Sequence, residues 1–279
     1  MAMTGPKRAF LIGHPLGHSL SPVFHNAAFR AAGIDATYNL ADVLPGDLAA
    51  TVAALRARDV YGANVTVPYK QDVLPFLDAL SDEARALGAV NTIVNDDGRL
   101  TGLNTDVPGF AADLRAQGIA IEGRQIVLLG AGGAARGVAA ALAGMGVGRL
   151  VIANRTPERA SAIRRQYPAI ATATGIARRD LAALLPDTAL LINATSAGLH
   201  GDETPIAADT LDLLPPTAAV YDLIYRPTAL LRAAQRRGLR AVGGLGMLVH
   251  QGALAWEAWT GRAAPLDVMW QAARDARGA

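Results

Sequence analysis

The stretch Arg124 to Thr156, RQIVLLGAGGAARGVAAALAGMGVGRLVIANRT, decides how this chain is read. Ile126 to Leu129 is a short apolar run of strand formers, followed at once by Gly130, Gly132 and Gly133. An alanine-rich segment of helical character comes next, then a second apolar run from Leu150 to Ala153. Strand, tight turn, helix and strand within about thirty residues make one parallel βαβ unit. Gly130-Ala131-Gly132-Gly133-Ala134-Ala135 fits G-x-G-x-x-A. Such glycines let the chain turn sharply and bring its backbone against a pyrophosphate, which sits at the helix N-terminus where amides are unpaired. The pattern is weak alone, and gains force here because strand and helix flank it as the mechanism requires. The alternative is a glycine turn used only for close packing.

The end of the second strand distinguishes between dinucleotides. NAD-binding units place Asp or Glu there to accept from the ribose 2′-hydroxyl, whereas this chain has Asn154-Arg155-Thr156. A carboxylate would repel a 2′-phosphate, a guanidinium grips it bidentately, and a hydroxyl donates to it. NADP is therefore expected over NAD, with a solvated surface charge as the plain alternative for Arg155.

Working outward, 279 residues suffice for two domains with substantial cores. Apolar residues make up 51% and charged residues 18%, the balance of a globular protein in water. A formal charge of +2, with no basic stripe interleaved with aromatics, gives no argument for nucleic acid. The absence of cysteine excludes disulfides, thiol nucleophiles and thiolate metal sites, and no metal is expected. The apolar run near the N-terminus is broken by Gly13, His14 and Pro15, too soon for a signal sequence. The window over 126–148 carries Arg136 and several glycines and reads as the nucleotide unit, not a membrane span. A cytoplasmic protein without membrane partners is the expectation. Of the 26 basic side chains only Lys7 and Lys70 are lysine. Arginine is effectively never deprotonated, so an internal lysine in such a chain asks for a chemical reason such as proton exchange.

Taken in order, residues 8–12 predict a strand, and GHPLGHSLSP a turn-rich loop. A helix is expected from Ser21-Pro22 to about Gly33. Ser19 and Ser21 with the free amides of that helix start make either a carboxylate cradle or an ordinary N-cap. His14, His18 and His25 lack metal-ligand spacing and are assigned loop and capping roles. Tyr38 to Leu40 predicts a strand and 45–56 an amphipathic helix. Gly62 to Lys70 predicts a strand that runs into a helix over QDVLPFLDAL. A further strand follows Gly88 to Val94, Asp96-Asp97-Gly98 signals a hairpin, and a helix is expected over 108–117. Three strand ends, near 64–70, 91 and 104–106, thus offer Asn, Thr, Lys and Asp in an apolar framework. A polyhydroxylated ligand needs such donors and acceptors, and a Lys beside an Asp forms an acid/base pair. Further α/β structure follows the nucleotide unit: strands over 187–192, ending in Asn193-Ala194-Thr195-Ser196-Ala197-Gly198, and 219–224, then a helix over 230–237. The last glycine pair, Gly244 and Gly246, opens a helix in which Met247, Leu248, Leu254, Ala255 and Trp259 form an apolar stripe. Gln251 lies on that stripe and needs a partner, either a ligand hydroxyl or a backbone carbonyl.

These residues resemble the shikimate dehydrogenases. The resemblance runs through GHSLSP, NVTVPYK, GAVNT, NTD, GAGGAARG, NRTPERA, NATSAG, YDLIY and GLGMLVHQ, in that order along nearly the whole chain. It implies an α/β fold with two domains. Residues 1–106, completed by 245–279, would form a discontinuous substrate-binding domain, and 107–244 a Rossmann-like NADP-binding domain, with a cleft between them. It implies that Lys70 is the acid/base residue, paired with Asp106, and that Ser19 and Ser21 bind the substrate carboxylate. Thr66, Asn91, Asp106, Tyr225 and Gln251 would contact hydroxyls or ring substituents. Gly130, Ala131, Gly132, Gly133 and Ala134 would hold the pyrophosphate, and Asn154, Arg155, Thr156 and Arg159 the 2′-phosphate. Asp82, Leu223 and Gly244 match further positions near the cofactor.

The implied activity is reversible NADPH-dependent reduction of 3-dehydroshikimate to shikimate, a step toward aromatic amino acids. Its partners would be that small-molecule substrate and NADP, with a homodimer allowed for. Two departures stand out: Leu199 follows NATSAG where methionine is common, and Arg226-Pro227 replaces the usual small polar residues after YDLIY. The rivals are a quinate/shikimate dehydrogenase or a relative acting on another hydroxylated ring acid, and a non-catalytic NADPH-binding regulator. The intact Lys70, Asp106, Ser19 and Ser21 set argues against the regulator, which needs no proton relay.

Overall fold

A computed structural model describes residues 5–17 and 19–278 of the chain. In chain order its elements are β1 (Lys7–Gly13), α1 (Ser21–Ala31), β2 (Ala36–Asp42), α2 (Leu48–Ala54), β3 (Val60–Val65), β4 (Ala79–Leu80), α3 (Asp82–Leu87), β5 (Thr92–Asp96), β6 (Arg99–Leu103) and α4 (Asp106–Ala116). They continue as β7 (Gln125–Leu129), α5 (Gly133–Gly144), β8 (Arg149–Ala153), α6 (Pro157–Arg164), β9 (Ala171–Thr174), α7 (Arg178–Leu181), β10 (Thr188–Asn193), β11 (Ala219–Asp222), α8 (Ala229–Arg236), β12 (Arg240–Gly243), α9 (Leu245–Thr260) and α10 (Leu266–Gly278). The chain is α/β and divides into two compact units, residues 1–109 with 249–279, and residues 110–248.

The first unit is built on a mixed sheet in the order β2-β1-β3-β5-β6-β4. β2, β1 and β3 run parallel, while β5 is antiparallel to both β3 and β6. Asp97 and Gly98 take positive φ and close the β5–β6 hairpin, as the Asp-Asp-Gly signal predicts. Because β5 is antiparallel, its first residues lie at the same sheet end as the last residues of β3 and β6. That one topological fact gathers 64–70, 91 and 104–106. Ile12, Ala63, Val65, Val90, Ile93 and Leu100 are buried on this sheet.

Three expectations fail here for physical reasons. QDVLPFLDAL is no α-helix: turns and a 3-10 segment over Leu74–Phe76 lead into β4. Pro75 is the cause, since an interior proline lacks the N–H and clashes with the carbonyl four residues back. His25 has no loop or capping role; it lies on α1, fully buried. It stacks on Tyr38 at 4.3 Å, with Phe24 and Trp259 beside it. On α9, Met247, Leu248 and Leu254 are only part-buried, while Val249 and Trp256 are wholly buried. The glycine at 252 makes the difference. A Cβ there would lie 2.5 Å from the Phe24 ring, so the helix approaches α1 along a face shifted from the predicted stripe. His18 lies outside the described residues.

The second unit carries an all-parallel sheet in the order β12-β11-β10-β7-β8-β9. This is the doubly wound order, whose strand sequence reverses between the first and fourth strands, here β7 and β10. Both faces of β7 and β10 are covered, so their runs read as continuously apolar instead of alternating. Val127, Leu129, Leu191 and Val220 pack with Leu181, Leu211 and Leu230 on one side. Each such fully buried side chain contributes roughly 1.5–3 kcal/mol.

Candidate active site

The first unit presents a connected polar group at the sheet end described above. Lys70 Nζ lies 2.6 Å from Asp106 Oδ2, with both side chains part-buried. Lys70 is fixed through its backbone, since its carbonyl accepts from Val90 N–H at 2.8 Å. Asp106 opens α4, where Asn104 Oδ1 accepts from the amides of Asp106 and Val107 at 3.2 and 3.3 Å. The second carboxylate oxygen of Asp106 accepts from Asn91 Nδ2 at 3.0 Å. The same Nδ2 donates to Thr105 Oγ1 at 2.9 Å and to Gln251 Oε1 at 3.3 Å. Asn91 Oδ1 accepts from Thr105 N–H at 2.6 Å, which fixes which way the amide faces. Carboxylate, ammonium and two carboxamides are thereby held at defined orientations, the arrangement a general acid/base pair requires.

Gln251 is 8% exposed and reaches this group because α9 comes close to α4. A Cβ on Gly109 would lie 2.7 Å from the Gln251 backbone nitrogen, so only glycine permits that approach. Asn64 supports Asn91 from behind. Its Nδ2 donates to the Asn91 carbonyl at 3.2 Å and to Thr92 Oγ1 at 3.0 Å, and its Oδ1 accepts from Tyr38 Oη at 2.9 Å. Thr66 is part-buried just past β3, its amide donating to the Ile12 carbonyl at 2.8 Å. Ser21 is buried, and its amide donates to Ser19 Oγ at 3.2 Å. The residue capping α1 is Leu20, which supplies no side-chain cap, so Ser19 does only part of what an N-cap would do. His14 Nδ1 pairs with Asp42 at 2.6 Å, and Asp42 also accepts from Leu16 N–H. These bonds hold the Asp42 carboxyl below its usual range.

In the second unit the glycine turn lies where β7 ends, beside β10, at the reversal of strand order. A cavity of about 830 Å³ opens there, lined by Gly130 to Ala134, Asn154, Arg155 and Ile176, by 194–197, and by Leu199, His200, Glu203, Thr204 and Pro205. Gly130 has φ +111°, and a Cβ on it would lie 3.0 Å from the Ala194 carbonyl oxygen. A Cβ on Gly132 or Gly133 would meet nothing within 4 Å, so this backbone faces open space. α5 starts at Gly133 with no side-chain cap. Its first-turn amides, the dipole end and the bare backbone fit a pyrophosphate. Asn154 Nδ2 donates to the Thr156 carbonyl at 2.9 Å, which braces the turn that carries the exposed Arg155.

The remaining predicted residues are spread more widely. Thr156 and Arg159 are exposed at the start of α6, outside the cavity lining. Leu223 and Gly244 adjoin one another at the ends of β11 and β12; a Cβ on Gly244 would lie 2.1 Å from the Leu223 carbonyl oxygen. Tyr225 is part-buried in this unit, and burial raises its phenol pKa. Asp82 belongs to the first unit, exposed in the first turn of α3. Sequence reasoning missed Tyr38 and Thr92, which orient Asn64, and the part of the cavity wall formed by Leu199, His200, Glu203, Thr204 and Pro205. Gly198, Gly201 and Pro205 after a strand end were the available signal for that wall. It also missed Asp222, wholly buried. Asp222 accepts from Asn193 Nδ2, Ile224 N–H and Thr228 Oγ1 at 3.0, 3.1 and 2.7 Å, while burial raises its pKa.

Comparison with known proteins agrees along the chain. The family described as shikimate dehydrogenase substrate binding domain matches residues 11–93. Shikimate / quinate 5-dehydrogenase matches 113–203, and the shikimate 5′-dehydrogenase C-terminal domain matches 244–274. The NADP(+) shikimate dehydrogenase of Symbiobacterium thermophilum is 46% identical over 277 residues, 96% of this chain and 94% of that one. The shikimate 5-dehydrogenase of Thermus thermophilus, solved with NADP(H) and shikimate, is 40% identical with a TM-score of 0.86, covering 97% and 99% of the two chains. The quinate dehydrogenase of Corynebacterium glutamicum, solved with NAD, is 32% identical with a TM-score of 0.85, covering 96% and 99%. Full-length identity above 40%, together with the glycine turn and the Lys70–Asp106 pair, makes this chain a member of the shikimate dehydrogenase family.

Proposed function

We propose that this chain catalyses the reversible reduction of 3-dehydroshikimate to shikimate with NADPH. The observation that carries it is the 2.6 Å Lys70–Asp106 pair, with Asn91 bonding Asp106 on one side and Gln251 on the other. NADPH, when bound, supplies the hydride. Lys70 Nζ gives a proton to the ring carbonyl oxygen as the carbonyl carbon is reduced, and takes it back in the oxidative direction. Asp106 keeps the ammonium oriented and compensates its charge. Ser19 and Ser21 hold the substrate carboxylate; Thr66, Asn91, Gln251 and Tyr225 read the hydroxyls and ring. General acid–base help of this kind is worth about 10²–10⁴ in rate.

The substrate-binding role, expected over 1–106 and 245–279, is assigned to the first unit, and the NADP-binding role, expected over 107–244, to the second. Gly130 to Ala134 take the pyrophosphate, and Asn154, Arg155, Thr156 and Arg159 the 2′-phosphate side, with Asp82, Leu223 and Gly244 near the cofactor. The reading is of a cytoplasmic enzyme acting on a small molecule; among the described residues no helix is long and apolar enough to cross a membrane. Mixing protein, shikimate and NADP should raise reduced-nicotinamide absorbance. Turnover of quinate with NAD but not of shikimate with NADP would favour the quinate rival instead. NADPH binding without turnover of either acid would leave a regulator.

A further inference from the structure

Asp222 is a buried carboxylate that the proposed chemistry leaves unused, and its hydrogen bonds lead to the glycine turn of the second unit. The last residues of three neighbouring strands share one row of the sheet there: Leu129 of β7, Asn193 of β10 and Asp222 of β11. Asn193 and Asp222 are both fully buried. An ionised carboxylate only accepts, so Asn193 turns its Nδ2 toward Asp222 Oδ1, at 3.0 Å, and its own carbonyl oxygen the other way. That oxygen accepts from the Thr195 amide at 3.0 Å and the Thr195 hydroxyl at 2.7 Å. Thr195 Oγ1 in turn accepts from Ala197 N–H at 3.1 Å. The 194–197 turn is thus wound around one carboxamide whose direction Asp222 sets. Turned over, that carboxamide would set its Nδ2 against Thr195 N–H, donor against donor. Asp222 is itself held, since it also accepts from Ile224 N–H at 3.1 Å and from Thr228 Oγ1 at 2.7 Å.

The turn abuts the first glycine of the G-x-G-x-x-A pattern. A Cβ on Gly130 would lie 3.0 Å from the Ala194 carbonyl oxygen and 3.1 Å from Thr195 Cγ2. Ala194 N–H donates to the Leu129 carbonyl at 2.9 Å, one residue before that glycine. Gly130 to Ala134 and Ala194 to Ala197 line the same cavity. We infer that Asp222 is a positioning residue for the pyrophosphate of the cofactor: by fixing Asn193 it seats the 194–197 turn against Gly130 and so sets the backbone that receives the phosphates. This rests on the reading of the cavity as the NADP site. Without the carboxylate a buried Asn193 donor loses its acceptor and the turn samples other positions. Apparent affinity then falls by the fraction that stays competent. A ligand without a pyrophosphate does not use this backbone and keeps its affinity.

The test compares NADPH with 2′-AMP, which carries the adenosine and the 2′-phosphate but no pyrophosphate, by calorimetric titration of the full chain. Asp222→Ala should weaken NADPH about tenfold, roughly 1.4 kcal/mol, and leave 2′-AMP within about twofold. Asp222→Asn keeps one oxygen for Asn193 Nδ2 and Ile224 N–H, so it should fall between wild type and Asp222→Ala and serves if the alanine variant folds poorly. In the ligand-free chain, NMR should show the Asn193 side-chain amide protons exchanging with water about tenfold faster in Asp222→Ala. Unaltered NADPH affinity in both variants, equal weakening of NADPH and 2′-AMP, or unchanged Asn193 exchange would overturn the inference. Wild-type protein that binds neither ligand would instead overturn the cofactor reading, and the exchange measurement would still decide whether Asp222 holds the turn.

Discussion

Replacing Lys70 with methionine deletes the ammonium while keeping an unbranched side chain of nearly the same length. Asp106 then loses the 2.6 Å bond at Oδ2 but keeps Asn91 Nδ2 at 3.0 Å on Oδ1. Because Asn91 is held in turn by the Thr105 amide, the carboxylate keeps its orientation and the other polar groups keep theirs. The lost ion pair is 32% and 21% exposed at its two side chains, so solvent screening limits its contribution to stability to about 1 kcal/mol or less. The kinetic loss is much larger. A positioned acid/base group contributes about 10²–10⁴ in rate, equivalent to roughly 3–5 kcal/mol of barrier. The cofactor cavity is lined by residues between Gly130 and Pro205, so NADPH affinity should not move. The assay is the initial rate of NADP reduction at saturating shikimate, with NADPH binding measured separately by fluorescence. We expect kcat to fall by about 10²–10⁴ while NADPH affinity and the unfolding midpoint stay near wild type. Lys70→Arg retains the charge and should lose nearly as much, because guanidinium does not release its proton. A wild-type kcat in either variant would remove Lys70 from the proton transfer and refute the reasoning.

Three further outcomes follow from other parts of the chain. Arg155→Asp places a carboxylate where a 2′-phosphate is expected, so NADP should weaken far more than NAD; equal losses measured by KM for each cofactor would sink that role. His25 is held neutral by burial, with a pKa of about 3 against an ordinary 6.5, and the Asn64 side chain beside it offsets only part of that shift. The unfolded chain therefore takes up a proton below pH 6.5 that the folded chain refuses until about pH 3, and stability should fall progressively across that window. His25→Phe should flatten this part of the unfolding-midpoint profile against pH, and an unchanged slope would count against it. Gly62→Ala should destabilise by about 3 kcal/mol or more in chemical denaturation. Its Cβ would lie 1.9 Å from the Ile93 carbonyl oxygen, which accepts the Trp259 indole N–H at 2.9 Å, and φ there is +148°.

Local pattern was enough for most elements because their causes are local. The βαβ unit from β7 to β8 is written in an apolar run, a glycine turn and an alanine-rich helix, and the Asp-Asp-Gly hairpin in two residues that accept positive φ. Where a single residue acted against the pattern, as Pro75 does in QDVLPFLDAL, weighing it more heavily would have removed the error. Chemistry by residue type was legible too: a lone internal lysine among arginines and an Asn-Thr-Asp strand end pointed to Lys70 and Asp106.

What the linear chain determined, then, was which groups are available and on which strand ends they sit. Only the tertiary structure decided which of them meet. Lys70 and Asp106 are 36 residues apart and Asn91 and Gln251 are 160 apart. They come together because β5 runs antiparallel between β3 and β6, and because Gly109 lets α9 approach. The same holds for Asp222, which meets the Asn193 carboxamide 29 residues back. Hydrogen bonds and ion pairs act over about 3 Å, and no periodicity along a chain carries that information until strand order and close helix approach have fixed it.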